Sequence, residues 1–208
     1  MRSLNMDSKA LQFFARLADL ILLSFFFVIS CIPIITVGPS MAALYGVFRD
    51  SGDHDSNILR RYLHQFRKHF RPAAICWLIQ ISVSALMLFG VYLLRRVDSS
   101  LSSVLLFASF LLLLLLNFTG SLVYPQIAYY NNTLRQYWVN AFLLLLSNFW
   151  LTIPNILLFL LPELVLLVWP KAYFFCMIVR LFPGIGVQFY LSFLLVRRVF
   201  QLIPKREC

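Results

Sequence analysis

Long apolar runs alternate with short polar ones along this chain, and none of the apolar runs repeats with the period of a strand. Five are extended: Leu17–Ile35, Ala73–Leu94, Leu101–Tyr124, Trp138–Leu161 and Tyr173–Val196. A spanning helix needs about 20 mostly apolar residues, and lipid offers no partner to an open backbone, so each run predicts a transmembrane helix. Proline and arginine punctuate them. Pro72 opens the second run, Arg95 and Arg96 close it, Pro125 ends the third, and Arg197 and Arg198 close the fifth.

One stretch breaks the pattern. PIITVGPSMAALY (33–45) sets two prolines and a glycine among apolar residues. Pro33 ends the first span, Gly38 permits a turn, and Pro39 suits the first position of a new helix, where its missing N–H is not needed. Thr36 can satisfy backbone groups freed by the break. As helix, residues 34–48 would measure roughly 20–23 Å, short of a ~30 Å hydrocarbon core. Two readings stand: a kinked extension of the first helix, or a re-entrant return.

Basic residues follow. In SNILRRYLHQFRKHFRP (56–72), Asp55 or Ser56 is a candidate N-cap. Ile58, Leu59, Tyr62, Leu63, Phe66 and Phe70 fall on one face, opposite Arg60, Arg61, His64, Arg67, Lys68 and Arg71. That pattern predicts an amphipathic helix over 56–71 lying in the headgroup plane. The expected fold class is therefore an all-α integral membrane protein, one polytopic domain over 1–208. It would hold about five transmembrane helices, a broken or re-entrant segment at 33–48 and a basic interfacial helix.

Composition agrees. Of 208 residues 61% are hydrophobic and 12% charged, and the mean hydropathy is +0.83; soluble domains carry about 25% charged residues. Asp7 and Asp19, with no small-residue cleavage site, argue against a cleaved signal peptide. The net charge of +10 is read as cytoplasmic flanks facing anionic headgroups, not as nucleic-acid binding. Cys31, Cys76, Cys176 and Cys208 show no short-spaced pair, hence neither a disulfide framework nor a zinc site.

Charge counting bears on the break. With Arg180 set aside as intramembrane, five crossings without a return place eleven basic residues inside and six outside; a return at 34–48 makes this fourteen and three. Both readings put the loop 49–71 and the C-terminus in the cytoplasm.

Ionisable groups within spans are candidate sites. Asp19 shares a helix face with Arg16, three residues earlier, and the two can pair. Arg180 opens RLFPGIG (180–186), where Pro183, Gly184 and Gly186 loosen the fifth helix beside a buried charge. Asn117, Asn140, Asn148, Asn155, Gln80 and Gln188 are uncharged, and interhelical hydrogen bonds are their expected use. No catalytic triad, metal spacing or phosphate loop can be composed from the remaining residues, so an enzyme and a cofactor are not expected.

Several stretches together resemble one family. RLADLILL (16–23), PIITVGPSMAALYGV (33–47), QFRKHFRPA (65–73) and YPQIAYYNNTLRQYWVNAFLL (124–144) are similar to the YesL family of bacterial membrane proteins, in order from about Arg16 to Val199. The family has no established function, and its members are often encoded beside carbohydrate ABC-transport and glycan-degradation genes. The resemblance implies a bacterial plasma-membrane protein linked to sugar uptake, with no reaction or site residues. The expected function is a non-enzymatic accessory or regulatory component of carbohydrate uptake, docking transporter subunits or a second copy of itself through Arg60, Arg61, Arg67, Lys68 and Arg71. The alternative is a small-solute carrier whose site lies near Arg16, Asp19, Arg180 and the break at Pro33, Gly38 and Pro39.

Overall fold

The computed structural model describes residues 3–50, 57–96, 100–148, 150, 153–155, 157–158 and 184–202. Among these every regular element is helical: α1 (Ser3–Ser30), a 3-10 turn (Ile34–Thr36), α2 (Val37–Arg49), α3 (Ile58–Leu94), α4 (Ser100–Tyr129), α5 (Leu134–Ser147) and α6 (Ile185–Leu202). Two stretches, Ile58–Leu94 and Ser102–Tyr129, are long and apolar enough to cross a membrane. The expected five are not reached among the described residues.

The differences from expectation have local causes. The first helix stops at Ser30, five residues early. Thr36 explains how the chain turns there: its Oγ1 lies 2.5 Å from the Ser30 carbonyl and 2.6 Å from that of Pro33, sharing one proton between two freed acceptors. Pro39 occupies the third position of α2, still within the first turn, where a helix N–H has no intrahelical partner.

The basic helix is not a separate interfacial element. It continues through Pro72 into the apolar run as one helix of 37 residues, starting after Asn57; Asp55 and Ser56 lie outside the described residues. Proline removes one backbone bond, but packing on both sides can hold the helix together. Here α2 lies across the join. Its Gly38 meets Ala73 and Trp77, just beyond Pro72, and its Gly46 meets Gln65, just before it.

Likewise α4 runs through Pro125 to Tyr129, because the residues that follow, Gln126, Ile127 and Ala128, are buried. The fourth expected span breaks instead. α5 ends at Asn148, whose side chain donates to Ser147 Oγ at 2.9 Å, a local bond that competes with the helix.

The core surrounds α2. Ten of its thirteen residues are buried, in two apolar clusters shared with α1, α3, α4, α5 and α6. Gly38, Ala42 and Gly46, four residues apart, form a small-residue seam toward α3. A Cβ at Gly38 would stand 2.5 Å from the Ala73 carbonyl and 2.7 Å from Trp77 Cβ. No described glycine has a positive φ, so Gly38 is required by the approach of α3 rather than by a turn. Small residues that let backbones touch are the usual basis of helix packing where lipid removes the hydrophobic drive.

Candidate functional site

Among the described residues, polar side chains gather at three interhelical places. The first closes the C-terminal end of α2. Arg49 Nε pairs with Asp50 Oδ1 at 2.9 Å. Its Nη1 donates to the Ala128 carbonyl in the last turn of α4, where a cation opposes the negative end of the helix dipole. Its guanidinium also stands 5.9 Å from the Tyr129 ring centroid.

Across from it, Arg61 Nη2 donates to the carbonyls of Val47 at 3.1 Å and Asp50 at 2.9 Å. Gln65 Nε2 donates to the second oxygen of Asp50, which leaves Gln65 Oε1 to accept from His69 Nε2 at 3.1 Å. That order of donors requires a proton on His69 Nε2, which the neutral Nε2–H tautomer supplies. Burial, then the nearby Lys68 and Arg49, push the His69 pKa down to about 4, consistent with that state. His69 precedes Pro72 and so lies before the apolar part of α3.

The second place lies deeper. Tyr45 and Ser192 oxygens are 2.7 Å apart, and Ser192 Oγ donates to Asn155 Oδ1 at 2.6 Å. The serine proton being committed, Tyr45 must donate to Ser192. All three residues are buried, and the chain ties α2 to α6 and to Asn155. Nearby, the Gly186 N–H donates to Ser24 Oγ at 2.8 Å, joining α6 to α1. The third place links α3 to α4: Tyr124 donates to Gln80 Oε1 at 2.9 Å, and Gln80 Nε2 reaches Asn117 at 3.4 Å. Neutral donors and acceptors of this kind hold helices in register; none is paired as nucleophile and base.

The residues named from sequence are distributed otherwise. Arg16 and Asp19 both stand exposed on α1, with no ion pair between them. Arg180 lies outside the described residues, so the suggested constellation with Asp19 is not brought together within them. Pro33 is exposed, whereas Gly38 and Pro39 are buried in the seam. Arg60, Arg67, Lys68 and Arg71 are exposed on α3, as is His64, while Arg61 turns inward to α2. No three His, Cys, Asp or Glu side chains cluster among the described residues.

Of the six side chains expected to bond between helices, Gln80, Asn117, Asn155 and Gln188 do so, Gln188 donating to the Leu158 carbonyl at 3.2 Å, whereas Asn148 bonds its neighbour Ser147 and Asn140 stands exposed. Sequence reasoning missed Tyr45 and Ser192, which carry no sequence signal beyond their residue type. The capping box Thr133–Gln136, seen here in full, did have one: Thr-x-x-Gln ahead of an apolar run.

Comparison with known proteins adds one finding. Residues 17–91 match the family described as protein of unknown function, DUF624. No curated protein and no solved structure matches the chain. The DUF624 match spans the apolar part of α1, the break, α2 and most of α3. It therefore takes in the glycine seam and the α2–α3 side of the Arg49–Asp50–His69 closure, and it brings no activity with it.

Proposed function

We propose that the protein is a multi-pass membrane protein of the bacterial plasma membrane, without enzymatic activity, that serves as an accessory component of carbohydrate uptake. Its basic loop and C-terminus face the cytoplasm. The membrane part of this reading is supported by the apolar faces of α3 and α4, where Leu86 is 72% and Phe107 65% exposed. Contiguous faces of this size are unstable in water and suited to lipid. The link to sugar uptake rests on the YesL resemblance.

The observation that carries the docking role is the two-sided construction of the first half of α3. One side, Tyr62, Gln65 and His69, is buried against the body. The other presents Arg60, Arg67, Lys68 and Arg71 on a helix that is thereby held rigid, a preorganised cationic surface for an acidic partner.

The test is affinity purification from native membranes of the parent and of an Arg60→Glu/Arg67→Glu/Lys68→Glu variant that leaves the inward Arg61 intact. Sugar-transporter subunits should co-purify with the parent and be lost from the variant. Equal recovery in both, or no transporter subunit with the parent, overturns the reading.

A further inference from the structure

We infer that residues 20–49 form a re-entrant hairpin, entering and leaving on the basic side of the membrane, whose isoleucine tip at residues 32–35 sits in the acyl chains of the adjoining leaflet. The inference rests on the membrane reading above and goes beyond it by fixing the side of the N-terminus.

Depth can be read off α3, whose residue positions serve as a scale. The rings of Phe26 and Tyr62 lie 6.2 Å apart, which places this part of α1 beside the basic half of α3. Eight residues later, the Ile34 carbonyl accepts from Trp77 Nε1 at 2.7 Å. From Phe26 to Ile34 the chain thus moves in the same sense as α3, from its basic part into its apolar part. α2 then retraces the path. Gly38 is at Ala73 and Trp77, Gly46 at Gln65, and the carbonyls of Val47 and Asp50 at Arg61. Both limbs lie beside residues 61–77, and neither contact reaches past Trp77. Trp77 stands five residues after Pro72, roughly 7 Å along the helix. The turn therefore dips about one helical turn into the apolar zone.

The chemistry of the parts matches this depth. At the tip Ile32, Ile34 and Ile35 are 76%, 66% and 51% exposed, three large apolar side chains within four residues. They continue into the exposed Leu78 and Ile79 of α3, and the tryptophan beside them is a residue favoured at membrane interfaces. At the open end the charges return: Arg16 and Asp19 in the turns of α1 just before Leu20, and Arg49 and Asp50 at the end of α2, where the Asp50 carbonyl meets Arg61 of α3. The apolar part of α1 after Asp19, residues 20–30, and α2 measure roughly 16 and 20 Å, each too short for a ~30 Å core, while the rest of α1 back to Ser3 carries Asp7, Lys9, Arg16 and Asp19. Length and charge had pulled apart in the sequence. A hairpin satisfies both, since it needs no full crossing and still brings Arg2, Lys9 and Arg16 to the cytoplasmic side, fourteen basic residues against three. The apolar runs then supply four crossings instead of five.

The experiment uses the full chain, freed of its own cysteines, in native membrane vesicles of both orientations. An impermeant maleimide is applied to Asp19→Cys, Asn57→Cys and Arg95→Cys, all exposed positions. Asp19→Cys and Asn57→Cys should react several-fold faster in inside-out vesicles, and Arg95→Cys in right-side-out ones. In proteoliposomes of phosphatidylethanolamine and phosphatidylglycerol, nitroxides on Ile32→Cys and Ile35→Cys should collide with oxygen more than with a soluble nickel chelate. Labelling of Asp19→Cys together with Arg95→Cys overturns the hairpin. So does ready collision of the tip with nickel, or dipolar broadening showing that a second copy covers it. Carbonate extraction separates the two claims. Loss of the protein from the membrane defeats the membrane reading itself, whereas retention with Asp19→Cys on the Arg95 side defeats the hairpin alone.

Discussion

The two halves of α3 were made by different rules. From Ile58 to Gln80 the helix carries a buried stripe, Tyr62, Gln65, His69, Ala73, Cys76 and Gln80, packed on α2 and α4. From Ile81 to Leu94 no residue is buried, and a Cβ placed on Gly90 would meet nothing within 4 Å. α4 shows the same division in reverse, open over 103–118 and closed over 119–128. One end of the molecule is therefore a protein core in the ordinary sense, dense and polar-tied. The other has its sequence set by the solvent around it, where any large apolar side chain serves. Specificity of structure should be concentrated at the basic end, and substitutions can sort the two ends.

The largest effect is expected at the seam. Gly38→Leu places a side chain against the backbone of Ala73, which cannot move without shifting α3. A loss of about 3 kcal/mol or more, or failure to fold, should appear as a lowered melting temperature in detergent. Gly90→Leu, the same substitution at the open end, should not lower the melting temperature, since a Cβ there meets nothing within 4 Å.

Acid should act on the closed end next. With its folded pKa lowered to about 4 against 6.5 for the free side chain, His69 is held neutral by the fold. Its contribution is fully present above pH 6.5 and is lost as pH falls toward 4, because the unfolded chain binds the proton first. Melting temperature should therefore fall with pH across that window, and fall less steeply in His69→Gln. An unchanged slope would show that the imidazole is not the group being protonated.

Tyr45→Phe is milder. It removes the donor to Ser192 while keeping the ring, which packs at 5.5 Å from Phe189. About 1 kcal/mol should be lost, more if Ser192 is left without a second partner. The smallest effect, opposite in sign, is expected for Gly90→Ala, which should raise stability by up to about 1 kcal/mol through helix propensity alone.

How much of this was legible beforehand follows the same division. The open halves of α3 and α4 are visible in sequence because their rule is local: a long apolar run needs no knowledge of its neighbours. The break at Pro33 was also legible, since proline and glycine act on their own backbone. The buried stripe was not. Periodicity puts Leu59, Leu63 and Phe70 on the lipid-facing apolar side, and their exposure agrees with that, but it does not reveal that Gln65 and His69 lie inside. What turns the helix that way is the bare backbone of Gly46, over which Gln65 fits, and the carboxylate of Asp50, which receives its amide. Neither lies within the helix being read. Arg61 was assigned to the free cationic face for the same reason, because the carbonyls that claim it belong to α2. The Tyr45–Ser192–Asn155 chain joins residues too far apart for any pattern to connect them.

That last separation has a consequence in time. Ser192 is synthesised 147 residues after Tyr45, about 7–30 s later at ordinary rates of elongation. Until then the phenol of Tyr45 has no acceptor of its own, and the face of α2 that α6 will cover stays open. The central helix of the molecule is thus among the first parts made and among the last to be completed. A ribosome that stops before residue 192 releases a chain whose apolar middle is already present and whose closing helix is not, a natural substrate for quality control.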